Sequence, residues 1–218
     1  MTRPTNETTV QHSFESAANH LKDEFSGTFD GATIDKFLHY SIDELAKTAT
    51  VTDFLPLLAG RFARQRLQAL AKVEGLGEQG LPIILFACTH NAGRSQMAAG
   101  FLEHFAEDRA VAWSGGSEPG DQINPAAVEA MYERGIDISQ EYPKPWTEEV
   151  VEAADVVVTM GCGDECPFFP GKRYEDWELT DPNGLDVAAV RPVRDEIERR
   201  VLGLLDELSV PVRRVSPA

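Results

Sequence analysis

Leu81-Pro-Ile-Ile-Leu-Phe-Ala-Cys-Thr-His-Asn-Ala-Gly-Arg-Ser95 is the stretch on which the reading of the whole chain turns. The run Ile83 to Ala87 is short, apolar and uninterrupted, the pattern of a strand buried on both faces of a parallel sheet. It ends at Cys88. Five residues separate it from Arg94, and from Ser95 the apolar positions Met97, Ala98, Phe101, Leu102 and Phe105 recur at helical spacing. Strand, tight loop and helix start together make a cradle for an anion, because loop and helix N–H groups converge where the helix dipole also favours negative charge. The backbone of Thr89, His90, Asn91, Ala92, Gly93, Arg94 and Ser95 would hold the anion, and the Arg94 guanidinium would add a two-pronged grip on a tetrahedral oxyanion. The same positive field favours the thiolate of Cys88, the form that reacts. A buried cysteine closing a strand beside a surface arginine is the plainer alternative; the strand before it and the Gly93-Arg94-Ser95 turn into a helix weigh against that.

Composition narrows the class. The chain has 218 residues, 42% of them hydrophobic, enough for one domain of about 130 residues and a smaller one. No apolar run suits a membrane span, and the polar start Met-Thr-Arg-Pro-Thr-Asn-Glu lacks a signal peptide's pattern, so the expectation is a soluble cytoplasmic protein. Three cysteines argue for thiol chemistry over a disulfide scaffold. A formal charge of −16 counts against nucleic acid as a partner. Zinc held by Cys162, Cys166 and His90 would lack a fourth ligand, so no metal is expected.

Residues 1–12 read as a disordered tail and 13–73 as an N-terminal helical bundle. Phe14, Ala17, Ala18, Leu21 and Phe25 repeat at helical spacing behind Ser13, a candidate N-cap. A second pattern over Ile34 to Ala46 fits one helix or two, since Ser41 and Glu44 carry their own capping signal. A third helix starts near Thr52-Asp53, with Pro56 tolerated in its first turn. It is apolar on more than one side, which suggests a second surface to cover, the catalytic domain of the same chain or of a second copy, the latter giving a homodimer with the helical domain at the interface. Arg61, Arg64 and Arg66 raise the thought of a DNA-reading helix, but residues 1–80 hold 8 Lys and Arg against 11 Asp and Glu. Residues 74–80 are a Gly-rich linker.

Residues 81–218 alternate strand and helix, which predicts an α/β fold: a four-stranded parallel sheet flanked by helices, preceded by the small three-helix domain. Val111-Ala-Trp-Ser114 is the second strand, and it places Ser114 at a carboxyl end near the cradle. Asn124-Pro125 opens a helix with Val128, Met131 and Tyr132 expected to face inward. Asp155 to Met160 is the third strand, the fourth lies within Lys172 to Trp177, and a last helix runs from about Val187 to Leu208. Cys162 and Cys166 follow the third strand, on the same sheet edge as Cys88.

The segment Cys88-Thr-His-Asn-Ala-Gly-Arg-Ser-Gln-Met-Ala resembles the low-molecular-weight tyrosine phosphatase superfamily, and within it the thioredoxin-coupled arsenate reductases, over about residues 82 to 208. The resemblance implies reduction of arsenate to arsenite, with phosphate or sulfate as competing oxyanions, no bound cofactor, and thioredoxin as external reductant and partner. It implies that Cys88 attacks arsenic, that Cys162 then attacks Cys88, and that Cys166 takes over the disulfide. Only Gly163, Asp164 and Glu165 separate the last two, a shorter spacing than the family's. It implies that Asp181, in Asp181-Pro182, is the general acid, that Asn91 and Ser95 brace the loop, and that Ser114 backs it. Potassium-binding members carry Glu where this chain has Ala99 and Asp where it has Lys144, so that cation site is expected to be dismantled, with the Lys144 ammonium in its place. Three alternatives stay open: a phosphotyrosine phosphatase, a reductase served by a small-molecule thiol, and an oxyanion- or redox-sensing module without catalysis.

Overall fold

The structure is a computed structural model that describes residues 6–48, 53–76, 80–161 and 168–213. It divides into two compact units, Met1–Gln79 and Gly80–Ala218.

The first unit packs three helices, α1 (Asn6–Glu24), α2 (Gly31–Ala46) and α3 (Leu55–Val73). α1 starts at Asn6, so Ser13 lies inside the helix and does not cap it. Residues 6–12 contain neither Gly nor Pro, and nothing in them stops the helix from extending toward the N-terminus. α2 is a single helix, capped by Asp30, whose carboxylate accepts from the Thr33 N–H at 2.7 Å. Ser41 does not start a new helix because its hydroxyl donates back to the Phe37 carbonyl at 2.8 Å. Ile34, Leu38, Phe62 and Leu67 fill the core. Arg66 lies buried over the rings of Phe37, Tyr40 and Phe62, and Arg64 pairs with Glu24. Arg64 and Arg66 are thus occupied within this unit.

The second unit carries the sheet. Its strands are β1 (Ile83–Cys88), β2 (Val111–Gly116), β3 (Val156–Thr159) and β4 (Arg173–Asp176), all parallel, in the order β2-β1-β3-β4. β1 is interior and every residue of it is buried, which is why its sequence shows no polar alternation. β4, with Arg173, Glu175 and Asp176, takes an edge. The helices are α4 (Arg94–Ala106), α5 (Pro125–Tyr132), α6 (Glu148–Ala153) and α7 (Val187–Glu207). Ile84, Phe86 and Cys88 share a core with α4 and α7, so the two-residue period of the strand puts the cysteine on the α4 side. In a parallel sheet the carboxyl ends share one edge, and the register sets Cys88 opposite Gly116 and Ala87 opposite Thr159.

Asn124 caps α5, accepting from the Ala126 N–H at 2.9 Å, and Met131 packs inward. Tyr132 does not: it is 72% exposed, because the last residue of this short helix has rotated past the face that meets α7. Beyond α5, a charged brace ties Glu133 to α7. Arg191 donates to both its carboxylate oxygens, and Arg194, itself buried, donates to Glu133 and to the Ala130 carbonyl. No helix among the described residues is long and apolar enough to cross a membrane.

The hydrogen bonds from Arg191, with those from Arg194, hold the Glu133 carboxyl down at about 2 from its ordinary 4.5. A depressed carboxyl stabilises the fold above its unfolded value and loses that contribution as pH falls through the folded one. Wild type should therefore exceed Glu133→Gln in thermal midpoint at neutral pH. The gap should persist down to about pH 4.5 and close between there and about 2, as read by thermal denaturation across that range.

Candidate active site

β1 delivers Cys88 to the sheet edge and α4 begins at Arg94, so residues 89–93 must reverse the chain in one tight loop. The carbonyls of that loop are all claimed from outside it. Thr89 O accepts from Glu118 N at 2.9 Å, His90 O from Gly120 N at 2.9 Å, and Ala92 O from Asn124 N at 2.8 Å. Asn91 O accepts from Gln96 Nε2 at 3.0 Å, and Gly93 O from Met97 N at 2.9 Å. In a trans peptide the C=O and the next N–H point in opposite directions. With five carbonyls in a row held by donors beyond the loop, the N–H groups of residues 90–94 are turned away from those donors and left for an anion. Asn91 makes the tightest bend with φ +47°, a left-handed conformation that Asn tolerates better than most residues.

A buried polar belt holds this loop. The Cys88 sulfur lies 3.0 Å from Ser95 Oγ, and Asn91 Nδ2 donates to the same oxygen at 2.9 Å. Lys144 N donates to Asn91 Oδ1 at 3.0 Å, and Lys144 Nζ donates to Ser114 Oγ at 3.2 Å. Ser114 thus meets the loop through Lys144, which is itself buried.

Arg94 and Asp181 meet at the mouth, Nη2 to Oδ2 at 2.9 Å. The guanidinium side chain is 8% exposed and the carboxylate 48% exposed, so the arginine is the fixed partner and the acid the solvent-facing one. Asp181 also accepts from the Asn183 N–H at 3.0 Å, while Pro182 O accepts from Asn124 Nδ2 at 2.9 Å. Together they border an open pocket of about 620 Å³ with Cys88, His90 and Arg94 on its wall. On the β3 side, Thr89 Oγ1 donates to the Gly161 carbonyl at 2.9 Å. Cys162 and Cys166 lie outside the described residues. Among the described residues no group of three His, Cys, Asp or Glu side chains is placed to hold a metal ion.

The arrangement suits a tetrahedral oxyanion: amide hydrogens around it, a guanidinium beside it, a sulfur at its base and a carboxylate at its rim. Four contributors, Gln96, Gly116, Gly161 and Asn124, are not marked by the sequence, and Gly93, expected in the cradle, also admits a packed neighbour. Gln96 looked like an ordinary helix residue. A Cβ on Gly116 would sit 2.6 Å from Thr89 O and 3.0 Å from Asn91 N, so the loop comes this close only over glycine. At Gly93 a Cβ would meet Pro182 at 2.7 Å, and at Gly161 the Arg94 guanidinium at 2.9 Å. Asn124 was read as a cap only, yet its backbone and side chain both serve the site. The Gly115-Gly116 pair at a strand's carboxyl end was the one signal available for these.

Residues 83–214 match the family model described as low molecular weight phosphotyrosine protein phosphatase, and residues 14–71 match one described as the protein-tyrosine-phosphatase-like N-terminal domain. A putative arsenate reductase of Halobacterium salinarum is 39% identical over 129 residues, 57% of this chain and 91% of that protein. The structure of a thioredoxin-dependent arsenate reductase from Corynebacterium glutamicum superposes with a TM-score of 0.81 at 41% identity, over 90% of this chain and 96% of that one. A second solved structure, an arsenate reductase in the phosphate binding state, gives 0.52 at 31% identity over 58% of this chain and 98% of that one.

If the amide ring depends on the close approach over Gly116, Gly116→Ala should displace the loop by several tenths of an ångström without unfolding the sheet. Phosphate affinity measured by calorimetry should then fall by roughly tenfold to a hundredfold, with the thermal midpoint changed far less. Unchanged affinity would mean that the loop has room the geometry denies it.

Proposed function

This chain belongs to the low molecular weight phosphotyrosine protein phosphatase family, and we propose that within it the protein reduces arsenate to arsenite at Cys88, with thioredoxin as the external reductant. The observation that carries the reading is the set of five outward carbonyls, which leaves the loop's amide hydrogens free to meet an anion between Cys88 and Arg94. The sequence and structural likeness to arsenate reductases supports the choice of substrate.

In the proposed cycle the amides and Arg94 bind arsenate, and the Cys88 thiolate attacks arsenic. Asp181 gives its proton to the departing hydroxide, which leaves as water. A second thiolate, assigned to Cys162, then attacks the Cys88 sulfur. The S–As electron pair passes to arsenic, which leaves as arsenite in the +3 state, and a Cys88–Cys162 disulfide remains. Cys166 attacks Cys162, frees Cys88 and forms a disulfide that thioredoxin reduces with two electrons. What supports Cys162 in this role is the chain itself, since Gly161, bonded to Thr89 and close to Arg94, immediately precedes it. Asn183 and Gly184 follow the acid and offer no ring to sandwich a phenol, which favours a reductase over a phosphatase.

The decisive measurement is NADPH oxidation with arsenate, thioredoxin and thioredoxin reductase. Wild type should turn over and Cys88→Ser should not. Asp181→Asn should lose roughly a hundredfold to ten-thousandfold in kcat, the range of acid–base catalysis. Cys162→Ser or Cys166→Ser should stop thioredoxin-coupled turnover, and full activity after either change would remove the internal relay. Fast hydrolysis of aryl phosphates without arsenate reduction would make the protein a phosphatase.

A further inference from the structure

We infer that Gln96 is a positioning residue that fixes the direction of the hydrogen bonds reaching the Cys88 sulfur, a role that rests on the reading of Cys88 as the reacting atom. Gln96 sits in the first turn of α4, 1% exposed, and no step of the proposed cycle uses it. Its Nε2 faces three oxygens: Asn91 O at 3.0 Å, Asn91 Oδ1 at 3.0 Å and Tyr142 O at 3.2 Å. All three can only accept, so the NH₂ end of the amide must be the end that meets them. Its own Oε1 is buried without a partner among the described residues, so the side chain is placed there for what it donates.

The consequence passes along the belt. Asn91 Oδ1 receives from Gln96 and also from the Lys144 main-chain N–H, a donor that cannot reverse. The two donors together hold that end of the Asn91 amide as oxygen, and its Nδ2 is therefore the atom 2.9 Å from Ser95 Oγ. Ser95 receives that bond, and its single hydroxyl hydrogen is left for its other neighbour, the Cys88 sulfur at 3.0 Å. Asn91 and Ser95 are wholly buried, so the order of donors is set by these partners. Without Gln96 the Asn91 amide keeps only the Lys144 N–H to orient it. Its carbonyl also loses the donor that turns it out of the cradle. A hydroxyl aimed at the sulfur favours the thiolate; a hydroxyl aimed elsewhere removes that advantage.

The test uses the full chain with Cys162 and Cys166 replaced by Ser, so that Cys88 is the single thiol. The readout is its rate of alkylation by iodoacetamide across pH. Arg94, Asp181, His90 and Asp121 border the same pocket and Lys144 lies behind Asn91; all are kept in every variant, so their charges are constant across the comparison. Gln96→Met, which keeps the length and loses the donors, should slow alkylation at neutral pH roughly threefold to tenfold and move the profile to higher pH. In a Ser95→Ala background the same substitution should have no further effect, because the path runs through that hydroxyl. Gln96→Leu, also uncharged and without donors, should act in the same direction, and it decides the question should the methionine variant fold poorly by circular dichroism. An unchanged profile, or a loss of equal size with Ser95 absent, overturns the inference. A wild-type chain that alkylates readily yet never reduces arsenate would defeat the proposed activity and leave this comparison intact.

Discussion

The site depends on one constraint, the outward orientation of five successive carbonyls in residues 89–93. A loop of this kind left to itself would mix its C=O and N–H groups on both faces, and an anion would meet repulsion from half of them. Here each carbonyl has a donor beyond the loop, from residues 96, 97, 118, 120 and 124. Those donors come from two places, the first turn of α4 and the segment after β2. The parallel sheet brings both together, because β1 and β2 end side by side with Cys88 opposite Gly116. Topology fixes the polarity of the loop, and the polarity of the loop fixes the chemistry.

Close approach is the second requirement, and glycine meets it where backbone must touch backbone or a proline ring. Gly116 admits the Thr89 carbonyl and Gly93 admits Pro182. These contacts bring residues far apart in sequence to within van der Waals range of one another. The Asp181 carboxylate reaches Arg94 only because Pro182 seats against Gly93 and its carbonyl is held by Asn124.

What was legible in the sequence follows from this. The strand, the loop and the start of α4 lie within one contiguous segment, and their pattern gave Cys88, Arg94 and Ser95 directly. Asp181 came from family resemblance, because no local pattern marks an Asp-Pro pair as more than a turn. Gln96 and the second duty of Asn124 were hidden, since their partners are long-range or belong to a loop whose conformation cannot be read from spacing. Local errors had local causes. Ser41 looked like a cap but bonds back to Phe37, and Tyr132 fits an apolar pattern yet ends its helix on the solvent side.

An acidic chain that binds an anion poses a question of magnitude, which the site answers locally. At physiological salt, exposed charges are screened beyond about 8 Å, so most of the formal −16 does not reach the cradle. The near carboxylates are Asp121, on the pocket wall, and Asp181, already paired with Arg94. That carboxylate is 48% exposed, and pairs of that kind are worth about 1 kcal/mol or less. An oxyanion in the ring receives amide bonds of about 1.5–3 kcal/mol each, as hydrogen bonds to charged groups do. Trading one contact at the rim for several within the ring favours the oxyanion. The carboxylate gives up its hold on Arg94 at little cost because water takes its place, which leaves it at the rim where the proposed cycle uses it.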